Sequence, residues 1–128
     1  MTPGADRPSV RLGTINMDCR DSEEMADFYG QLLRWPIKWR DGSFIILGNP
    51  DGGPDISFEP YEDYRPPVWP EQPGEQWKMI HLDMRVEDLE AATAHAVACG
   101  GRLAEYQGRD DLRVILDPSG HPICLGRE

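Results

Sequence analysis

Two stretches, Thr14-Ile-Asn-Met-Asp-Cys-Arg-Asp21 and His81-Leu-Asp-Met-Arg-Val-Glu-Asp88, carry one pattern: an alternating strand that runs into an acidic helix cap. Pro54-Asp-Ile-Ser-Phe58 and His121-Pro-Ile-Cys-Leu125 repeat at the same displacement along the chain. Asn49-Pro-Asp-Gly52 answers Asp117-Pro-Ser-Gly120 one residue out of that register, as a small insertion in a turn produces. Repetition on this scale constrains the whole fold before any local motif does. The pattern predicts an α+β chain in which two tandem βαβββ modules form a curved mixed sheet with helices on its outer face.

Within the first copy, residues 10–19 alternate as a strand, with Ile15, Met17 and Cys19 on one side and Thr14, Asn16 and Asp18 on the other. Asp21-Ser-Glu-Glu24 reads as an N-cap with a glutamate three residues later. Met25, Phe28, Tyr29, Leu32 and Leu33 then recur at helical spacing until Pro36, which cannot continue the ladder. Residues 37–39 and 44–47 flank Asp41-Gly42 as a hairpin, and 55–59 make a fourth strand. The second copy repeats this order with strands over 79–86, 102–106, 112–116 and 122–125. Its helix is capped by Asp88 and ended by Gly100-Gly101.

The resulting organisation is a flexible tail over 1–9 and a single domain over 10–128, with module one at 10–60, a linker at 61–78 and module two at 79–128. The prolines of the linker forbid regular structure, yet it spends Tyr61, Tyr64, Trp69 and Trp77, side chains that bury large area. They either pack over the sheet edge or wall a ligand pocket.

A chain of 128 residues buries roughly two-thirds of its unfolded surface on folding, enough for one core. A net charge of −10 and a pI near 4.6 argue against nucleic acid and anionic membrane as partners. The excess acid either favours a cationic or neutral small molecule or only keeps the protein soluble. Cys19, Cys99 and Cys124 are odd in number and lack a C-x-x-C pair, which suits a reducing cytoplasm. No apolar run approaches a membrane span.

Alternation also points to a site. If the apolar side of each first strand meets its helix, then Thr14, Asn16, Asp18, His81, Asp83 and Arg85 project to the opposite side. That side is either a shared cleft or a face open to water. His81 beside Asp83 and Arg85 is a candidate acid or base. His95 reads as solvated, and His121, in its Pro-Ser-Gly-His-Pro turn, as structural.

Asp21-Ser-Glu-Glu-Met-Ala-Asp-Phe-Tyr29, Val86-Glu-Asp-Leu-Glu-Ala91 and Asp117-Pro-Ser-Gly-His-Pro122 resemble the vicinal oxygen chelate superfamily, which includes glyoxalase I, extradiol dioxygenases and bleomycin-resistance proteins. Asp51-Gly-Gly-Pro54 and Tyr64-Arg-Pro-Pro-Val-Trp-Pro70 are most similar to its glyoxalase-like bacterial subfamily. The resemblance implies metal positions at Thr14, Ser57, His81 and Cys124, of which only His81 keeps a customary ligand type. Hard divalent ions are poorly served by the other three, so no metal and no cofactor is expected. Asp18, Asp83 and Glu59 remain neighbours for a displaced site.

The leading expectation is therefore a homodimeric, metal-independent protein that binds a small organic ligand in a concave cleft. Its site comprises Thr14, Asn16, Asp18, Ser57, Glu59, His81, Asp83, Arg85 and Cys124, with Trp69 or Trp77 as a lid. The rival is a lyase or isomerase related to glyoxalase I that uses His81 as acid, base or ligand of a displaced metal, with Arg85 as electrophile in a metal-free version. A third class, a structural or regulatory partner domain, would show a concave face filled by aromatic side chains.

Overall fold

The computed structural model describes residues 7–127, so residues 1–6 of the expected tail lie outside the described residues. Residues 7–13 form no regular element. The architecture is α+β, in the order β1 (Thr14–Cys19), α1 (Ser22–Leu33), β2 (Ile37–Asp41), β3 (Phe44–Leu47), β4 (Asp55–Pro60), β5 (Leu82–Val86), α2 (Leu89–Ala98), β6 (Arg102–Leu103), β7 (Leu112–Leu116) and β8 (Pro122–Arg127). Each module builds its own four-stranded mixed sheet, ordered β1-β4-β3-β2 and β5-β8-β7-β6. In each, the first strand runs parallel to the last and the other pairings are antiparallel.

The register confirms the repeat residue by residue. Ile15 pairs with Ile56 in the first sheet, and Leu82 with Ile123 in the second, at one common displacement. Ile46 opposite Ser57 becomes Val114 opposite Cys124, so β3 is displaced by one residue more than β4. The extra residue sits in the turn between them, where the sequence offset placed it. Asn49 Oδ1 accepts from the Asp51 amide at 2.9 Å, and Asp117 Oδ1 accepts from the Ser119 amide at the same distance. Gly52 and Gly120 close these two turns with φ of 83° and 90°, a region that glycine enters without a Cβ penalty.

Both helix starts follow their caps. Asp21 Oδ1 accepts from the amides of Glu23 and Glu24, and Asp88 Oδ1 from that of Ala91. Met25, Phe28 and Tyr29 of α1 are fully buried with Met17, Cys19, Ile45, Leu47, Ile56 and Phe58. Side chains of this size stabilise by roughly 1.5–3 kcal/mol each when removed from water. Ala96, Ile115, Ile123 and Leu125 extend the same core into module two. The modules also lock by polar contacts, because the Arg20 amide donates to Ser119 Oγ at 3.1 Å and the Tyr29 hydroxyl to Asp117 Oδ2 at 2.7 Å.

Three strands are shorter than their alternation suggested. β1 starts at Thr14 and not at Val10; Val10 and Leu12 are exposed. β5 starts at Leu82 because Met79 adopts a left-handed φ of 66°, which interrupts extended backbone. β6 keeps only Arg102 and Leu103, since the Ala104 amide still donates to Val114 but Gln107 then occupies the strand's place. The Gln107 side chain donates to Ala104 O and Val114 O and accepts from the Val114 amide.

Candidate functional site

The alternation along β1 holds: Met17 and Cys19 are buried, and Thr14, Asn16 and Asp18 are exposed on the other side. Above this polar side, at the seam of the modules, lies a cavity of about 520 Å³. Its floor comes from Asn16, Met17 and Asp18 of β1, from His81 and Leu82 at the start of β5, and from Pro122 and Ile123 of β8. Its walls are mostly linker. Tyr61, Asp63, Tyr64, Arg65, Pro67, Gln76, Trp77 and Lys78 contribute, followed by Met79 and Ile80.

A chain of hydrogen bonds fixes the polar groups of module one. Ser57 Oγ donates to Asn16 Oδ1 at 2.7 Å, Asn16 Nδ2 to Glu59 Oε1 at 2.7 Å, and the Tyr61 hydroxyl to Glu59 Oε2 at 2.9 Å. Donating that bond to Glu59 first, then burial and the Glu59 charge, hold the Tyr61 hydroxyl above its ordinary value. Asn16 is thus presented to the cavity in one orientation by two neighbours that do not line it.

On the opposite wall the turn before β8 contributes His121. Its Nδ1 lies 2.8 Å from Asp117 Oδ2, and its Nε2 faces the Tyr64 hydroxyl at 3.3 Å. Tyr64 in turn donates to Ser119 O at 2.7 Å. Burial, then the charge of Asp117, push the Tyr64 hydroxyl well up, so it stays a protonated donor.

The expected site residues divide into three groups. Asn16, Asp18, His81 and Trp77 line the cavity. Asp83, Arg85 and Cys124 line a separate hollow of about 360 Å³ on module two, with Arg109, Asp111 and Arg127. Arg85 therefore lies in a different hollow from His81, although Asp83 Oδ1 lies 3.1 Å from His81 Nε2. Thr14, Ser57, Glu59 and Trp69 line neither hollow. Trp69 instead donates its indole N–H to Tyr106 O at 3.1 Å, with the Lys78 ammonium 5.4 Å from its ring centre. Of the two tryptophans offered as a lid, only Trp77 stands at the cavity.

The four positions marked for a metal do not fit a divalent ion. The Ser57 hydroxyl is spent on Asn16 and Ser57 is 1 % exposed. Burial, then the charge of Asp83, raise the Cys124 thiol above its ordinary value, and its soft sulfur is a poor match for a hard divalent ion. A different trio, His81, Asp83 and Cys124, places donor atoms within 4.8 Å of one another.

Tyr61, Tyr64, Lys78 and His121 line the cavity although none was among the expected site residues. The linker aromatics were a visible signal for the first two. For His121 the turn pattern explained the backbone and hid the ring, which packs against Tyr64 across a long separation in the chain.

The glyoxalase-like domain family matches residues 14–126. Among curated proteins, none matches the chain. Similar solved structures include a glyoxalase/bleomycin resistance protein/dioxygenase family enzyme from Burkholderia phytofirmans PsJN (TM-score 0.69, 18% identity, 92% of this chain and 98% of that one). A glyoxalase-related enzyme from Fulvimarina pelagi gives a TM-score of 0.67 at 17% identity, over 92% and 88% of the two chains. An antibiotic binding protein from Streptomyces sp. CB03234 gives 0.63 at 14% identity, over 94% and 98%. At these identities the likeness establishes the fold.

Proposed function

Because the chain belongs to the glyoxalase-like domain family, we propose that it holds a small organic molecule in the seam cavity without a metal ion. The observation that carries this reading is the cavity itself: about 520 Å³, with Tyr61, Tyr64 and Trp77 on the walls and with Asn16, Asp18, Asp63, Arg65, Gln76, Lys78 and the two histidines as polar points. Volumes of roughly 300–1,000 Å³ suit drug-sized ligands. That an antibiotic binding protein has this fold adds support by analogy only.

Native mass spectrometry of freshly purified protein, wild type against Trp77→Ala, tests the reading. Retained small-molecule mass in the wild type, diminished in the variant, is the expected result. A wild type that retains nothing and whose tryptophan fluorescence is unmoved by any of a broad compound panel would sink it. The same spectrum tests the homodimer that this reading includes. A reducing cytoplasm also belongs to it, supported by three free cysteines.

The enzymatic alternative draws on the 3.1 Å contact of His81 Nε2 with Asp83 Oδ1 at the cavity's edge. Turnover abolished in His81→Ala while ligand binding persists would favour it.

A further inference from the structure

At the edge of the seam cavity, module two gathers three donor atoms of different kinds. Asp83 on β5 and Cys124 on β8 are partners in the parallel register, so their side chains leave the sheet on one side. His81 precedes Asp83 by two residues, the spacing that returns a side chain to the same side of extended backbone. His81 Nε2 lies 3.1 Å from Asp83 Oδ1, and donor atoms of His81, Asp83 and Cys124 all lie within 4.8 Å of one another. His81 and Asp83 are exposed and Cys124 is half-buried, so an ion in solution can reach all three.

We propose that His81, Asp83 and Cys124 form a zinc site carried by module two alone, with a fourth coordination position left open. Zinc takes imidazole nitrogen, carboxylate oxygen and thiolate sulfur at roughly 2.0–2.3 Å, and a tetrahedron with those bonds spaces its donors by about 3.3–3.7 Å. The His81–Asp83 pair already stands within a few tenths of that spacing. The sulfur has to approach by no more than about 1.5 Å, a distance that side-chain torsions cover. One carboxylate and one thiolate bring two negative charges to a doubly charged ion, so the filled site is neutral. Binding transfers the thiol proton to solvent as the sulfur–zinc bond forms. Magnesium and calcium, which take oxygen ligands, are refused by the sulfur. Asp83 and Cys124 also line the hollow of about 360 Å³, and the open position faces it.

This set differs from the four positions that straddle the modules: Thr14 and Ser57 take no part, and Asp83 is not one of the four. It is also independent of the seam ligand, because Tyr61, Tyr64 and Trp77, the walls offered to that ligand, supply no donor to it.

The test is titration of the full, untagged, metal-stripped chain with cobalt(II), which reports its ligands by colour. One equivalent should produce a thiolate-to-cobalt charge-transfer band with the strong visible absorption of a tetrahedral ion, and zinc should displace it. The band should vanish in Cys124→Ala and persist in Cys99→Ala, the control whose sulfur lies 3.8 Å from the His95 ring. Asp83→Asn and His81→Ala should each weaken affinity at least about tenfold, since even the partners behind a metal's ligands are worth that much. A measurement free of substitutions stands beside these: one equivalent of zinc should protect Cys124 from iodoacetamide and leave the Cys99 rate unchanged. No charge-transfer band, a band that survives Cys124→Ala, or a Cys124 that zinc does not protect overturns the assignment. The seam cavity is decided separately, by the Trp77 comparison.

Discussion

The hydroxyl of Tyr29, on the helix of the first module, donates at 2.7 Å to Asp117 in the last turn of the second. Burial, then the charge of Asp117, push that hydroxyl well above its ordinary value, so it remains a donor throughout the accessible pH range. Tyr29→Phe removes one donor from a carboxylate with no exposed surface and should cost about 1–3 kcal/mol in urea denaturation. The modules should still unfold in one transition. A loss of only a few tenths would mean that the carboxylate finds a replacement partner.

Gly101 lies where the modules meet. A Cβ built there falls 2.7 Å from Ile115, 2.8 Å from Phe28 and 2.9 Å from the carbonyl of Ala96. Gly101→Ala should therefore destabilise by about 1–3 kcal/mol, the range for overpacking a filled core. Gly13→Ala, whose Cβ meets nothing within 4 Å, is the matched control and should be near neutral.

Thiol reactivity should follow environment. Cys19 is fully buried and pushed up to about 12, first by burial and then by Asp117, so it should resist iodoacetamide until the chain unfolds. Cys124 should react more slowly than a peptide cysteine at neutral pH. Asp83→Asn should accelerate it and Lys78→Met slow it, because Asp83 raises this thiol and Lys78 lowers it. Mass-resolved labelling rates decide, and an Asp83→Asn rate equal to wild type would contradict the assigned cause.

Asp55 joins β4 to the hairpin, accepting from Lys38 Nζ at 2.8 Å and from the Asn49 amide at 2.9 Å. The Lys38 bond first, and the Asn49 bond second, hold its carboxyl below the ordinary 3.8. A depressed folded value means that the stabilisation is complete above the ordinary value and disappears as pH falls through the folded one. Denaturation midpoints should drop between about pH 5 and pH 2, and less steeply in Asp55→Asn. Identical acid limbs in the two proteins would exclude this contribution.

The fold was legible because the duplicated pattern fixes many positions at once: caps at Asp21 and Asp88, buried Met17 and Cys19, and the one-residue offset of the turn all follow from it. The strand ends were less legible. Alternation continues through Met79 to His81, and only the left-handed backbone at Met79 stops it. Of the site, Asn16, Asp18 and His81 could be read from strand faces, since alternation dictates side. Alternation does not dictate which hollow a residue enters, so Asp83, Arg85 and Cys124 separated from the cavity. His121 and Tyr64 meet only through tertiary packing.

The segment joining the modules supplies Tyr61, Tyr64, Arg65, Trp77 and Lys78 to the cavity, while the buried clusters beneath the helices draw on none of them. The cavity walls and the buried core thus draw on different stretches of one polypeptide. Substitutions in the joining stretch can therefore reshape the hollow without disturbing either sheet.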